Sequence, residues 1–152
     1  MKKTVIIITA MAMIAAMLTG CGVKPEANGN NTGENKGKIH IGIIQPVEHP
    51  SLNQIREYII IGLEEQGLKD MVEITYKDAQ GDPSNINTIV SQFVGDKMDV
   101  IVPIGTGAAQ SAAAATKEIP VVFAAVSYPV EAQLVKDVNK PEANVTGVSD
   151  AI

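Results

Sequence analysis

The chain has no tryptophan, two phenylalanines, three tyrosines and a single cysteine, and acidic residues outnumber basic ones for a formal charge of −5. So few aromatic rings and so little positive charge exclude nucleic-acid binding, which needs basic patches and stacking platforms. The same acidity excludes electrostatic adhesion to anionic lipid. One cysteine forbids an intrachain disulfide, and two histidines, His40 and His49, without a cysteine partner make no metal site. No cofactor is expected on these grounds. What the chain does have is apolar bulk: at 45% hydrophobic residues it can build the core of one domain.

The first apolar run covers the 14 residues from Val5 to Leu18, directly after Met1-Lys2-Lys3, and closes on Leu18-Thr19-Gly20-Cys21. A short positive start, an apolar centre of about 7–15 residues and small residues at the end describe a secretory signal, too short for a spanning helix. An ordinary signal peptide or a buried helix with a chance cysteine is the plain alternative. The ending resembles the lipobox of bacterial lipoproteins. That resemblance implies that residues 1–20 are removed and that Cys21, lipidated, becomes the first mature residue. Two acyl chains give stable attachment where one would be marginal, so the expected location is the extracytoplasmic face of the cell membrane.

From Gly22 to Lys38 the sequence GVKPEANGNNTGENKGK holds one sizeable apolar side chain, a valine. Such a segment cannot bury enough surface to offset its ordering entropy. Residues 21–38 therefore read as the anchor and a tether, whose 17 residues after Cys21 span roughly 20–25 Å by coil scaling.

Residues 39–152 read as alternating strands and helices. Ile39 to Ile44 is nearly continuous in apolar residues, as in a strand buried on both faces of a parallel sheet. A helix follows from about Ser51 to Gln66, with Leu52, Ile55, Ile59 and Leu63 as its buried stripe and Gly67 to end it. Val72 to Lys77 alternates strictly, which marks a half-exposed edge strand. Asp82-Pro83-Ser84 opens a second helix whose apolar face is Ile86, Ile89, Val90, Phe93 and Val94. Asp99–Val102 is a central strand, Ala108–Thr116 a helix of small residues, and Pro120–Ala125 a fourth strand. A further helix is expected from Ser127-Tyr128-Pro129 to about Val138, and a short fifth strand at Val145–Val148. The fold class is α/β, a three-layer parallel sheet in the order 2-1-3-4-5 with helices on both faces.

In such a sheet, ligands sit beyond the carboxyl ends of the strands where the strand order reverses. The loops there are Gln45–Ser51 and Gly105–Gln110, with Ser127-Tyr128 next along the edge. Helix N-termini expected at Ser51, Thr106 and Pro129 would offer backbone N–H groups to a carboxylate or phosphate. Gly105-Thr106-Gly107 does not complete a dinucleotide fingerprint, because Gln110 stands at the third glycine position, and no Walker lysine follows. It suits either a tight turn that admits a small ligand or a plain strand-to-helix turn. His49 is either a ligand-contacting side chain or a solvated loop residue. With neither a base nor an orienting group assured beside it, His49 makes no nucleophile pair with Ser51, and no enzyme activity is expected.

Ala79-Gln80-Gly81-Asp82-Pro83-Ser84, Asp99–Val102, Ile104-Gly105-Thr106, Ala114–Ser127 and Asn144–Asp150, together with Glu48-His49-Pro50, form an ordered set covering nearly the whole folded part. The set resembles the substrate-binding lipoproteins of ABC transporters, in the tryptophan/tyrosine-binding-like group with a type I periplasmic-binding-protein fold. The resemblance implies capture of a small solute, often an aromatic amino acid in that group, and its delivery to a permease powered by an ATPase. It implies ligand contacts from His49, Pro50, Ser51, Thr106, Gly107, Ala108, Gln110, Val126 and Ser127. A ligand-sensing or structural lipoprotein without a transport role is the alternative. Two departures stand out: Tyr128-Pro129 replaces the usual Asp-Pro, removing a partner for a ligand amine, and Pro141-Glu142-Ala143-Asn144 replaces a Pro-Gly-Gly-Asn turn. Receptors of this kind close two lobes over the ligand, so residues 39–152 are expected to be the N-terminal lobe of a longer protein.

Overall fold

A computed structural model describes residues 37–140 and 143–150 of the chain. The signal segment, Cys21 and the tether up to residue 36 lie outside the described residues. The described chain runs β1 (Ile39–Gln45), α1 (Pro50–Glu65), β2 (Val72–Asp78), α2 (Pro83–Gly95), β3 (Val100–Pro103), α3 (Thr106–Ala115), β4 (Val121–Ala124) and β5 (Val145–Val148). The strands form one parallel sheet in the order β2-β1-β3-β4-β5, the order expected from the sequence.

β1 is paired on both edges, with β2 from Ile39↔Val72 to Gln45↔Asp78 and with β3 from Ile41↔Val100 to Ile44↔Pro103. Its side chains alternate between two apolar layers. Ile41 and Ile43 join Val72, Val102 and Ile104, over which Leu52, Ile55, Ile59 and Leu63 of α1 lie half-buried. Ile44 faces the other way, into a layer with Ile101, Val121, Phe123, Phe93 and the α3 alanines Ala108, Ala109 and Ala112. Small side chains on α3 let that helix lie close to the sheet.

The helix ends follow local chemistry. Asp82 caps α2 by accepting from the Ser84 N–H at 2.8 Å, with Pro83 in the first turn. α1 ends in a paired turn: Leu68 N–H donates to Leu63 O at 3.0 Å and Gly67 N–H to Glu64 O at 2.9 Å, with Gly67 at φ +72°.

The helix expected from Ser127 to Val138 does not form. A few turns replace it, in which Ala132 N–H donates to Tyr128 O at 2.9 Å and Leu134 N–H to Pro129 O at 2.9 Å. Gln133 takes φ +59°, a left-handed conformation that ends any right-handed winding. Leu134 is thereby buried against the core while Val138 stays exposed, so the apolar residues of this stretch do not share one helical face. Tertiary packing overrides propensity here.

Candidate functional site

The carboxyl ends of β1, β3 and β4 are lashed together. Ile104 N–H donates to Ile44 O at 2.9 Å, and Gly105 N–H donates to Ala124 O at 2.8 Å. These bonds bring the 46–49, 105–107 and 125–127 loops to one edge, at the switch between β1 and β3. Gly105, at φ +86°, carries no side chain, and a β-carbon there would lie 3.9 Å from Pro46 Cγ, so two of the loops run side by side.

Two helices start at this edge. His49 is the extended N-cap of α1, and its Nδ1 accepts from Ser51 N–H at 3.3 Å. His49, Pro50 and Ser51 are all exposed. α3 begins at Thr106 behind Gly105 with no side-chain cap at all, in contrast to α2 and its Asp82. Its first turn presents the positive end of the helix to the loop edge, where Thr106 and Gly107 are exposed. No helix starts at Pro129, so the third N-terminus expected there is absent among the described residues.

Other site candidates sit differently. Ala108 and Val126 are core residues, at 1% and 0% exposure, and can offer a ligand only their backbone. Gln110 is exposed but tied to the 127–138 stretch, where its Nε2 donates to Ala132 O at 3.1 Å. Ser127 is half-buried, and its carbonyl accepts from Ser149 Oγ at 3.1 Å. Ala125 carries a φ of +53°, a strained turn for a residue with a β-carbon, and it is this turn that sends Val126 inward. Tyr128, which replaces an acidic residue of the resembled pattern, is 65% exposed. A groove of about 580 Å³ lies beside β5, lined by Val130, Leu134, Val135 and Val145, and includes none of the loop residues named above.

No group of three or more His, Cys, Asp or Glu side chains that could hold a metal occurs among the described residues. None of the described helices is long and apolar enough to cross a membrane.

The family model of ABC transporter substrate binding proteins matches residues 40–152. The chain belongs to that family. Among curated proteins, it is 43% identical to a tyrosine-binding protein of Clostridioides difficile over 98% of its own length and 45% of that protein's. Among solved structures, an ABC domain from Streptococcus pneumoniae in complex with L-Trp superposes with a TM-score of 0.73 at 46% identity, over 76% of this chain and 39% of that one. The ligand-free, open structure of a substrate-binding protein with adhesive properties from Clostridium difficile gives 0.72 at 44% identity, over 74% and 39%. The chain thus spans less than half the length of these relatives, and its sheet is a periplasmic-binding-protein fold.

A polar network behind the 46–49 loop escapes sequence reasoning. Gln45 is completely buried, and its Nε2 donates to Val47 O at 2.7 Å and to Asn53 Oδ1 at 2.6 Å. Arg56 reaches Gln45 Oε1 at 3.3 Å and Glu48 Oε1 at 3.4 Å, and its guanidinium lies 4.1 Å from the centre of the Tyr76 ring. Tyr76 donates its hydroxyl to Glu48 Oε1 at 2.7 Å. That hydroxyl, followed by the Asn53 amide, holds the Glu48 carboxyl below its ordinary range. Burial, then the Glu48 bond, pushes the Tyr76 phenol up to about 12. The only advance sign was a glutamine ending an apolar strand.

Proposed function

We propose that residues 39–152 form the first, ligand-receiving lobe of an extracytoplasmic solute receptor for an ABC importer. In this reading Cys21 carries the lipid anchor, residues 22–38 act as the tether, and a second lobe closes over the solute before its transfer to a permease with its ATPase. The observation that carries the binding role is the uncapped N-terminus of α3 beside the N-terminus of α1 at the β1/β3 switch. Two helix dipoles converge on a surface that water reaches freely, which suits a small carboxylate more than reaction chemistry.

The ligand class is an amino acid with an aromatic side chain. The name of the Clostridioides relative and the L-Trp bound to the streptococcal one support this reading. The carboxylate would meet the N–H groups of Thr106 and Gly107, with His49 and Ser51 on the opposite side and Ser127 along the edge.

Calorimetry on the full-length receptor, with the aromatic amino acids and their carboxamides, tests this. The acids are expected to bind saturably and the amides far more weakly. Absence of binding by every amino acid would overturn the reading.

A further inference from the structure

The four residues between β1 and α1 do not rely on backbone contacts alone. Pro46 O accepts from Gly81 N–H at 2.8 Å and His49 O from Asn53 N–H at 2.9 Å. Between them, Val47 and Glu48 are held by side chains from three elements: Gln45 on β1, Arg56 on α1 and Tyr76 on β2. Tyr76 reaches this place because parallel pairing sets it opposite Ile43, two residue pairs short of the strand ends on the α1 side of the sheet.

The network is asymmetric. Its inner end, Gln45, is sealed from water, whereas Glu48 at the outer end is exposed. An exposed ion pair alone contributes little. Here the Arg56 guanidinium is also laid over the Tyr76 ring, and the phenol hydroxyl is fixed on the same carboxylate oxygen that Arg56 reaches. A charge-assisted bond of this kind holds geometry better than a neutral one. Directly after Glu48 the chain reaches His49, the N-cap of α1 and the first of the site residues.

Resting on the receptor reading above, we infer that Tyr76 and Arg56 are positioning residues for the solute. They touch no ligand, but by fixing Glu48 they hold His49 and the first turn of α1 at the angle the solute meets. Ordering this segment in advance removes a cost that binding would otherwise carry.

The test compares wild type, Tyr76→Phe, Glu48→Gln, the double variant and Tyr58→Phe in the full-length receptor, by calorimetry with aromatic amino acids and by thermal unfolding. Tyr58 is an exposed α1 tyrosine outside the network and serves as the control. Tyr76→Phe removes one hydroxyl and keeps the ring under Arg56, so the fold is expected to survive. Affinity should fall about tenfold in Tyr76→Phe, in line with loss of a bond to a charged group. Because both act through one contact, the double variant should lose no more than the worse single one. Equal affinity in wild type and Tyr76→Phe would overturn the inference while leaving the receptor reading intact. Additive losses would overturn it as well. Absence of binding by wild type itself would remove the receptor reading and this inference together.

Discussion

The ring of Phe93 lies across Gly42. A β-carbon on that glycine would come within 2.7 Å of Phe93 Cδ2 and 2.9 Å of Cγ and Cε2. Phe93 is 1% exposed and shares one buried apolar cluster with Ile44, Ile89, Val90 and Ile101, so the ring has little room to yield. Gly42→Ala is therefore expected to destabilise the domain by about 1–3 kcal/mol through overpacking. Phe93→Ala should cost about 3–5 kcal/mol on its own account. Urea unfolding of the two variants and their double should show strong non-additivity, since the alanine of one fills part of the space left by the other. Additive effects would mean that the two side chains do not share that space.

Gln45→Leu removes the group that satisfies Val47 O, Asn53 Oδ1 and Arg56 from inside the sheet. Leucine fits the volume but answers none of them. A loss of about 1–3 kcal/mol in urea unfolding is expected for leaving buried polar atoms unpaired. A neutral effect would show that water replaces the amide.

Tyr76 ties stability to alkaline pH. Its phenol is raised to about 12 in the folded chain against an ordinary 10. A raised value means that the folded form holds the proton longer. The stability this contributes is complete below pH 10 and is lost as the pH climbs from 10 to 12. Spectrophotometric phenolate titration should show one step near 12 that Tyr76→Phe abolishes. Glu48 behaves with the opposite sign: its carboxyl is held below the ordinary 4.5, so its contribution is present above that value and lost as the pH falls through the folded one.

Asp82 gives an acid-side counterpart at the start of α2. The Ser84 hydroxyl at 2.7 Å, then the Ser84 N–H, hold its carboxyl below the ordinary 3.8. Asp82→Ala should lower the melting temperature at neutral pH. The difference from wild type should shrink as the pH drops below 3.8, because protonation removes the same acceptor. A gap that stays constant down to about pH 2 would contradict this.

Cys21→Ser tests the proposed anchor apart from solute binding. If Cys21 is lipidated, the variant loses fatty-acid labelling and leaves the membrane fraction, while solute affinity of the purified receptor is unchanged. Retention of the label on the variant would rule out Cys21 as its site.

Much of the fold was legible because burial on two faces leaves a plain mark. Ile39–Ile44 and Pro120–Ala125 read as apolar strands, the second running one residue beyond β4 at each end, and Val72–Lys77 alternates because β2 lies at the sheet edge. The Asp82-Pro83 start and the Gly67 stop worked because they act through bonds to residues close by. The 127–138 stretch misled because Val130, Leu134 and Val138 have helical spacing, whereas the core takes Leu134 and leaves Val138 outside. In the site, the convergence of the loops followed from strand order alone. The inward turn of Val126 did not, since it follows the left-handed backbone at Ala125. The link between Glu48 and Tyr76 was invisible for a different reason: it exists only once the β1–β2 register is set.

Among the described helices, α1 is the one in which no residue is fully buried, although it leads from the His49 end of the site. An element fastened by half-buried side chains opens at a lower free energy than the sheet beneath it. In native-state hydrogen exchange its amides should therefore trade with solvent through a partial unfolding that spares β1 and β3. A solute held at the first turn would slow that exchange along the whole helix, and ligand occupancy would be readable as protection far from the point of contact.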